Sequence, residues 1–214
     1  MRFRNRADAG RALAEELDPL RGEAPIVLGL PRGGVPVAAQ VATGLGAPLD
    51  IVLVRKIGAP DRAELAVGAV GEDGVTVRND DVLAELGLAW ADVSDQVERE
   101  RAEIVRRATA LRPGGARPSL RDRTVVLVDD GIATGASVVA AIRVLRRLGV
   151  RRLALAVPVA PADALPRLRE LADDVVCPVA PSLFVAVGQW YDDFAQVSDR
   201  QVRALLATST VDRA

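Results

Sequence analysis

The sequence contains no histidine and a single cysteine, Cys177. Without histidine, no imidazole can serve as a general base, a nucleophile or a metal ligand. One cysteine cannot form an internal disulfide, and such cysteine usage is typical of proteins of the reducing cytoplasm. We therefore predict a cytoplasmic protein whose chemistry does not depend on imidazole.

The sequence also has no large net charge of either sign, and it has no long apolar run. Its 28 basic and 29 acidic residues leave a net charge of −1, so nothing favours an electrostatic contact with nucleic acid or a membrane. Residues 1–6 lack the apolar run of a signal peptide, and no segment is long enough to span a bilayer. Because 50% of the 214 residues are hydrophobic, we expect one soluble α/β domain with a sizeable core.

The most informative stretch is an apolar strand that ends in two acids. Val125–Val128 predict a strand buried on both faces of a parallel sheet, and Asp129 and Asp130 follow at its C-terminal tip. A loop of small residues then leads into a helix that begins at about Ala136. The amides of such a loop and the helix dipole favour a phosphate, whereas the two carboxylates can accept hydrogen bonds from vicinal hydroxyls or help to hold Mg²⁺. A ribose 5-phosphate satisfies both halves of the pattern.

This stretch resembles the phosphoribosyl-pyrophosphate (PRPP) motif of the type I phosphoribosyltransferases, which has four apolar residues, two acids, three variable positions and then Thr-Gly-x-Ser/Thr. The residues from Val125 to Ser137 match every position. A phosphorylatable receiver domain also has paired acids after an apolar strand. It needs those acids near its start and a lysine further on, and neither condition holds here. An ordinary turn with two solvated aspartates remains the simpler alternative.

The resemblance implies a Mg²⁺-dependent enzyme that transfers the 5-phosphoribosyl group from PRPP to a nitrogen acceptor, such as a nucleobase, and releases pyrophosphate. It implies PRPP-binding residues throughout the motif: Asp129, Asp130, Gly131, Ile132, Ala133, Thr134, Gly135, Ala136 and Ser137. The alternative function is a non-catalytic regulatory module that binds PRPP or a nucleotide. The expected partners are PRPP and a small-molecule acceptor, and a homodimer is allowed.

A second loop with the features of an anion site follows the first predicted strand, residues 26–30. It reads Pro31-Arg32-Gly33-Gly34 and precedes a helix that begins at about Val35. The resemblance implies that Arg32, Gly33 and Gly34 hold the pyrophosphate of PRPP. On its own the tetrapeptide fits equally well a tight turn of any α/β fold.

Lys56 is the only lysine in the chain. It follows the predicted strand Ile51–Val54, and orotate-type phosphoribosyltransferases carry a similar Arg-Lys pair at the corresponding strand end. The resemblance implies that Lys56 is directed at the pyrophosphate. The predicted catalytic residues are therefore Lys56, Arg32, Asp129 and Asp130.

The order of strand and helix patterns predicts a doubly wound, mainly parallel sheet in a single phosphoribosyltransferase-like domain, residues 1–214. Residues 57–120 are predicted as a lid with a helical insertion, in which a hairpin over residues 65–77 precedes a long helix over residues 91–111. Residues 178–214 are predicted as a small C-terminal hood.

The predicted hood contains most of the aromatic residues, which indicates either a satellite core or a stacking wall for a planar ligand. The run from Phe184 to Gly188, followed by Asp192, is similar to the ending of purine-salvage phosphoribosyltransferases. This similarity implies an acceptor site with Phe184, Trp190 and Tyr191. It also implies that Asp192 assists Asp129 and Asp130 in holding Mg²⁺, directly or through water. Ala133 stands where hypoxanthine-guanine enzymes have an aspartate, which argues against an oxopurine acceptor; adenine-type enzymes have alanine there.

Overall fold

The structure is a computed structural model that describes residues 1–112 and 118–208. Residues 113–117 of the predicted insertion and 209–214 of the predicted hood lie outside the described residues. In chain order the strands are β1 (Ile26–Gly29), β2 (Leu49–Ile51), β3 (Val54–Ala59), β4 (Arg62–Gly71), β5 (Thr76–Arg78), β6 (Thr124–Val128), β7 (Arg152–Ala156) and β8 (Asp174–Val176). The helices are α1 (Arg6–Glu16), α2 (Gly34–Leu45), α3 (Asp80–Glu85), α4 (Ser94–Leu111), α5 (Ala136–Arg147), α6 (Leu165–Leu171) and α7 (Asp199–Ala207).

Five parallel strands form the central sheet in the order β2-β1-β6-β7-β8. Alternate strand residues point to opposite faces, and both faces are covered. Val27 and Val126 pack against α1, α2 and α7, whereas Ile26 and Val125 pack against α5 and α6. Burial on both faces explains why the strands are continuous apolar runs. The predicted doubly wound, mainly parallel sheet is confirmed.

A separate three-stranded antiparallel sheet, β3-β4-β5, follows β2. The predicted strand Ile51–Val54 is therefore wrong, because β2 ends at Ile51 and β3 begins at Val54 in a different sheet. Between them, the Leu53 backbone N–H donates to Glu72 Oε1 at 3.1 Å. This contact draws the chain out of the central sheet, so that Lys56 lies inside β3 and not at the tip of a central strand.

A buried ion cluster connects the insertion to the central sheet. Arg112, just after α4, donates to Asp50 of β2 at 2.8 Å and to Glu72 of the β4–β5 turn at 3.0 Å. All three residues are buried. Burial lowers the pKa of the Arg112 guanidinium, but Glu72 and Asp50 outweigh that effect and raise it. Because the cluster joins three segments, it fixes the C-terminal end of α4 against the sheet.

The C-terminal segment contacts the N-terminus. The Phe3 N–H donates to the Trp190 carbonyl at 2.9 Å, and the Asp192 N–H donates to the Phe3 carbonyl at 2.9 Å. Tyr191 is buried in a small cluster with Phe3 and Val179. The satellite core allowed by the sequence is therefore present, whereas the division into lid and hood stays a prediction. Among the described residues, none of the helices has the length and apolar character needed to cross a membrane.

Candidate active site

Two loops meet at the C-terminal edge of the central sheet, because β1 and β6 are parallel neighbours with Gly29 opposite Val128. We call residues 30–33 the first loop and residues 129–135 the second loop. A Cβ atom built on Gly33 would lie 2.6 Å from Asp130 Cγ, a separation that real Cβ atoms essentially never show. The two glycines and two acids predicted from separate motifs are thus brought together, since Gly34 likewise packs on the backbone of Asp129.

The second loop turns sharply into α5 at Gly135, where φ is +74° and favours glycine. Ile132 is buried, and its N–H donates to the Val159 carbonyl at 2.9 Å, which ties the loop to the segment after β7. Ala133 and Thr134 are exposed, so the loop presents its outer half to solvent beside the N-terminus of a twelve-residue helix. This arrangement suits a phosphate group.

The two acids differ in their partners. Asp130 Oδ2 accepts a hydrogen bond from Arg6 Nε at 2.8 Å, with only 11% of the Arg6 side chain and 15% of the Asp130 side chain exposed. Asp129 Oδ1 accepts the backbone N–H of Asp130 at 2.9 Å. Burial raises the pKa of both carboxyls, and the adjacent Asp130 raises that of Asp129 further, while Arg6 opposes the rise in the pKa of Asp130. Asp129 is therefore the acid that a bound cation would stabilise most.

Arg6 was not predicted as a site residue. It is the first residue of α1, and its guanidinium lies 3.9 Å from the ring centroid of Phe194 and donates to the Ala195 carbonyl at 2.8 Å. Tyr191 supports the same loop from the other side, since its hydroxyl donates to the Asp130 carbonyl at 2.6 Å. The N-terminus and the C-terminal segment thus hold Asp130 jointly.

We expect Arg6→Gln to shift the pH dependence of ribose 5-phosphate binding. In its predicted role Asp130 accepts hydrogen bonds from the ribose hydroxyls as a carboxylate, so affinity should fall as the pH drops through the pKa of Asp130. Removing Arg6 removes the opposing charge and raises that pKa further, so that affinity should fall at a higher pH. Calorimetric titrations across pH would measure the shift, with the exposed Arg4→Gln as control. Identical profiles for the two variants would contradict the role of Arg6.

A cleft of about 170 Å³ lies beside Asp129, between the first loop and α4. Pro31, Asp129 and Ser137 line one side of it. Arg55 of β3 and Arg107 of α4 line the other. We call this space the inner cleft. Neither arginine was predicted as a site residue. Arg107 lies on α4, far from both loops in the sequence, and only the folded structure brings it to the inner cleft.

A wider cavity of about 560 Å³, the outer cavity, is lined in part by the second loop. The loop residues from Ile132 to Gly135 form part of its wall, and the predicted acceptor residue Phe184 forms another part. The helical segment after β7 contributes the charged residues Asp163 and Arg167 to its lining. Neither of these two residues was predicted as a site residue from the sequence.

Other predicted residues lie outside these two spaces. Arg32 is half-buried, and its guanidinium lies 3.7 Å from the carboxylate of Asp199 at the start of α7. Lys56 is half-buried in β3, where it follows Arg55 and so projects from the opposite face of the strand. Asp192 pairs with Arg2 at 3.0 Å. Within residues 1–112 and 118–208, no group of three or more acidic, cysteine or histidine side chains could hold a metal ion.

Trp190 is half-buried, whereas the ring of Tyr191 is only 2% exposed and lies between those of Phe3 and Phe194. Burial raises the pKa of the Tyr191 hydroxyl, which keeps it a hydrogen-bond donor. This placement makes Tyr191 a support for the second loop, and its predicted contact with an acceptor stays a prediction, as does that of Trp190.

The comparison with known proteins agrees with this geometry. The model of the phosphoribosyl transferase domain family matches residues 3–194. The chain is similar to the protein TT1426 of Thermus thermophilus, with 48% identity and a TM-score of 0.89 over 96% of this chain and 98% of that one. It shares the fold of the AQ2163 protein of Aquifex aeolicus, with 12% identity and a TM-score of 0.50 over 94% of this chain and 84% of that one.

Two Mycobacterium tuberculosis proteins, from strains CDC 1551 and H37Rv, are provisionally named phosphoribosyl transferases. Each is 53% identical to this chain over 205 residues, which is 95% of this chain. The chain spans only 46% of the length of these relatives. With the family model covering both loops and the central sheet, the chain belongs to the phosphoribosyl transferase domain family.

Proposed function

We propose that the protein is a Mg²⁺-dependent phosphoribosyltransferase that moves the 5-phosphoribosyl group from PRPP to a nitrogen acceptor and releases pyrophosphate. The observation that carries the proposal is the packing of Gly33 and Gly34 directly on the acids Asp130 and Asp129. In this packing the first candidate anion loop contacts the carboxylate pair with which the second candidate anion loop begins. A phosphate at one end, a diol in the middle and a pyrophosphate at the other end match that order.

In this proposal the second loop binds the 5-phosphate through its amides, Thr134 and Ser137, beside the N-terminus of α5. Asp129 and Asp130 accept hydrogen bonds from the ribose hydroxyls. The first loop, with Arg32, binds the pyrophosphate. Because both loops continue from neighbouring parallel strands, the sheet sets the distance between the two ends of the substrate.

Magnesium fits the residues present. Mg²⁺ is commonly held by one or two carboxylates together with substrate phosphates and waters, and Asp129 offers a half-buried carboxylate that has only a backbone N–H as hydrogen-bond donor among the described residues. Asp130 is less suited, because Arg6 already occupies one of its oxygens. When bound, the metal would neutralise charge on the leaving pyrophosphate. Asp192 as a metal ligand stays a prediction.

The reaction breaks the bond between ribose C1 and the pyrophosphate oxygen, forms a bond from C1 to the acceptor nitrogen, and releases the proton of that nitrogen. The protein contributes chiefly position and charge. Two loops fixed by a sheet hold the ribose while the acceptor approaches, and the carboxylates of Asp129 and Asp130 stabilise positive charge that develops on the ribose ring. Lys56 as a further stabiliser of the pyrophosphate stays a prediction.

We place the acceptor in the outer cavity. Phe184 is half-buried there and offers a ring for a planar base. Ala133 lines the same cavity and has no group that could take a proton, which favours adenine-like bases or amines over oxopurines. The cytoplasmic location and the homodimer stay predictions.

The test is to incubate the protein with PRPP, Mg²⁺ and a panel of nucleobases and small amines, and to follow pyrophosphate release. We expect release with at least one acceptor, a phosphoribosylated product by mass spectrometry, and loss of both when a chelator removes Mg²⁺. Calorimetric binding of PRPP without release for any acceptor would instead favour the non-catalytic binding module. No PRPP binding would contradict both functions.

A further inference from the structure

From the inner cleft we infer that Arg107 of α4 is a pyrophosphate-binding residue, supplied by the helical insertion. The inference rests on the proposed function, because it names a further contact for the same leaving group. Arg107 lines the cleft together with Pro31 of the first loop, Asp129 and Ser137. An anion that extends from the first loop towards Asp129 would meet its guanidinium.

The dimensions and lining of the inner cleft suit a small anion. Its volume of about 170 Å³ holds several water molecules, and its lining includes two arginines, Arg55 and Arg107. Ser137, assigned above to the 5-phosphate, borders the cleft, so the cleft lies next to that phosphate position. The guanidinium of Arg107, which lines the same cleft, can bind a phosphate through two parallel hydrogen bonds.

Arg107 is the arginine of the cleft that is available for a ligand. Arg55, the other one, already pairs with Glu100 at 2.6 Å. The nearby Glu103 is held by Arg106 through two hydrogen bonds of 2.7 Å. Within the part of the chain that the structure describes, no hydrogen bond or ion pair joins Arg107 to a carboxylate, although the residue is half-buried.

The segment of α4 that carries Arg107 is anchored on both sides of that residue. Ile104, three residues earlier on the same helix face, is 3% exposed and packs in the core. Arg112, five residues later, is locked by Asp50 and Glu72. Arg203 of α7 also donates to the Ala110 carbonyl at 3.2 Å. The helix backbone that carries Arg107 is therefore in place before an anion arrives, and only the Arg107 side chain has to be ordered on binding.

The experiment measures two ligands separately by calorimetry: inorganic pyrophosphate with Mg²⁺, and ribose 5-phosphate. The variants are Arg107→Gln, Arg107→Lys and, as a matched control, Arg99→Gln, an exposed arginine on the same helix. We expect Arg107→Gln to bind pyrophosphate about 10- to 100-fold more weakly, the effect of losing hydrogen bonds to a charged group. Arg107→Lys should recover part of that loss, and ribose 5-phosphate affinity should stay within about twofold.

Each outcome separates the inference from the proposed function. If the unaltered protein binds both ligands and Arg107→Gln binds pyrophosphate equally well, the role of Arg107 is wrong and the proposed function stands. If Arg107→Gln weakens both ligands to the same extent, Arg107 is a structural residue and the inference is wrong. If the unaltered protein binds neither ligand, the inference and the proposed function both fail.

Discussion

Replacing Arg112 with methionine is expected to lower the free energy of unfolding by about 3–5 kcal/mol, the usual effect of breaking a buried ion pair by removing one partner. Methionine matches the length of the apolar stem but leaves Asp50 and Glu72 facing each other without a cation. Both carboxylates are buried, so neither can recover hydration. The loss should also weaken the attachment of the end of α4, because Arg112 donates to Asp50 of β2 and to Glu72 of the β4–β5 turn.

Urea unfolding followed by circular dichroism would measure this loss, with Arg99→Met as the control for an exposed arginine of the same helix. A second variant distinguishes charge from packing. Combining Arg112→Met with Asp50→Asn and Glu72→Gln removes all three charges, while the amide oxygens can still accept the backbone N–H groups of Ile51 and Leu53, so this variant should recover part of the stability. A loss below about 1 kcal/mol for Arg112→Met would mean that the cluster is hydrated in solution.

The parts of the fold that could be predicted are those specified by neighbouring residues. The strand β6 and its loop are specified by an apolar run, two acids, small residues and Gly135, all within 14 positions. The first loop follows from Ile26–Gly29 and a glycine pair in the same way. Helix α7 carries a local signal too, the capping box of Ser198 and Gln201, but without a long periodic pattern it was not predicted.

The parts that could not be predicted depend on contacts between distant segments. The pair of Arg6 and Asp130 joins residues 124 positions apart, and Arg112 meets Asp50 across 62 positions. The sequence contains many arginines, and nothing near Arg6 or Arg112 in the sequence distinguishes them from those that are exposed. The boundary between β2 and β3 was not predicted for a related reason. The apolar run continues through the boundary, and the backbone N–H of Leu53 donates to Glu72, which is 19 positions away in the sequence.

We expect Gly33→Ala to reduce turnover by about 10²-fold or more while the protein stays folded. The added methyl group would lie 2.6 Å from Asp130 Cγ, so either the loop or the carboxylate must move. Asp130 cannot simply rotate away, because its carboxylate is held by Arg6 and its carbonyl oxygen by Tyr191. A displacement of about 1 Å between groups that position a substrate commonly lowers the rate about 10²-fold. Here one substitution would displace the first loop, proposed to bind pyrophosphate, relative to Asp130, proposed to bind the ribose.

Gly22→Ala is the matched control for this prediction, because a Cβ atom at Gly22 would meet no other atom within 4 Å. Turnover would be measured as pyrophosphate release, and binding of ribose 5-phosphate and of pyrophosphate by calorimetry, alongside thermal unfolding of both variants. We expect Gly22→Ala to retain turnover and Gly33→Ala to lose affinity for both ligands, since the loop and the acid share the displacement. Full turnover in Gly33→Ala would show that the first loop can move away from Asp130 without consequence, and so that the contact between the two loops does not set the geometry of the site.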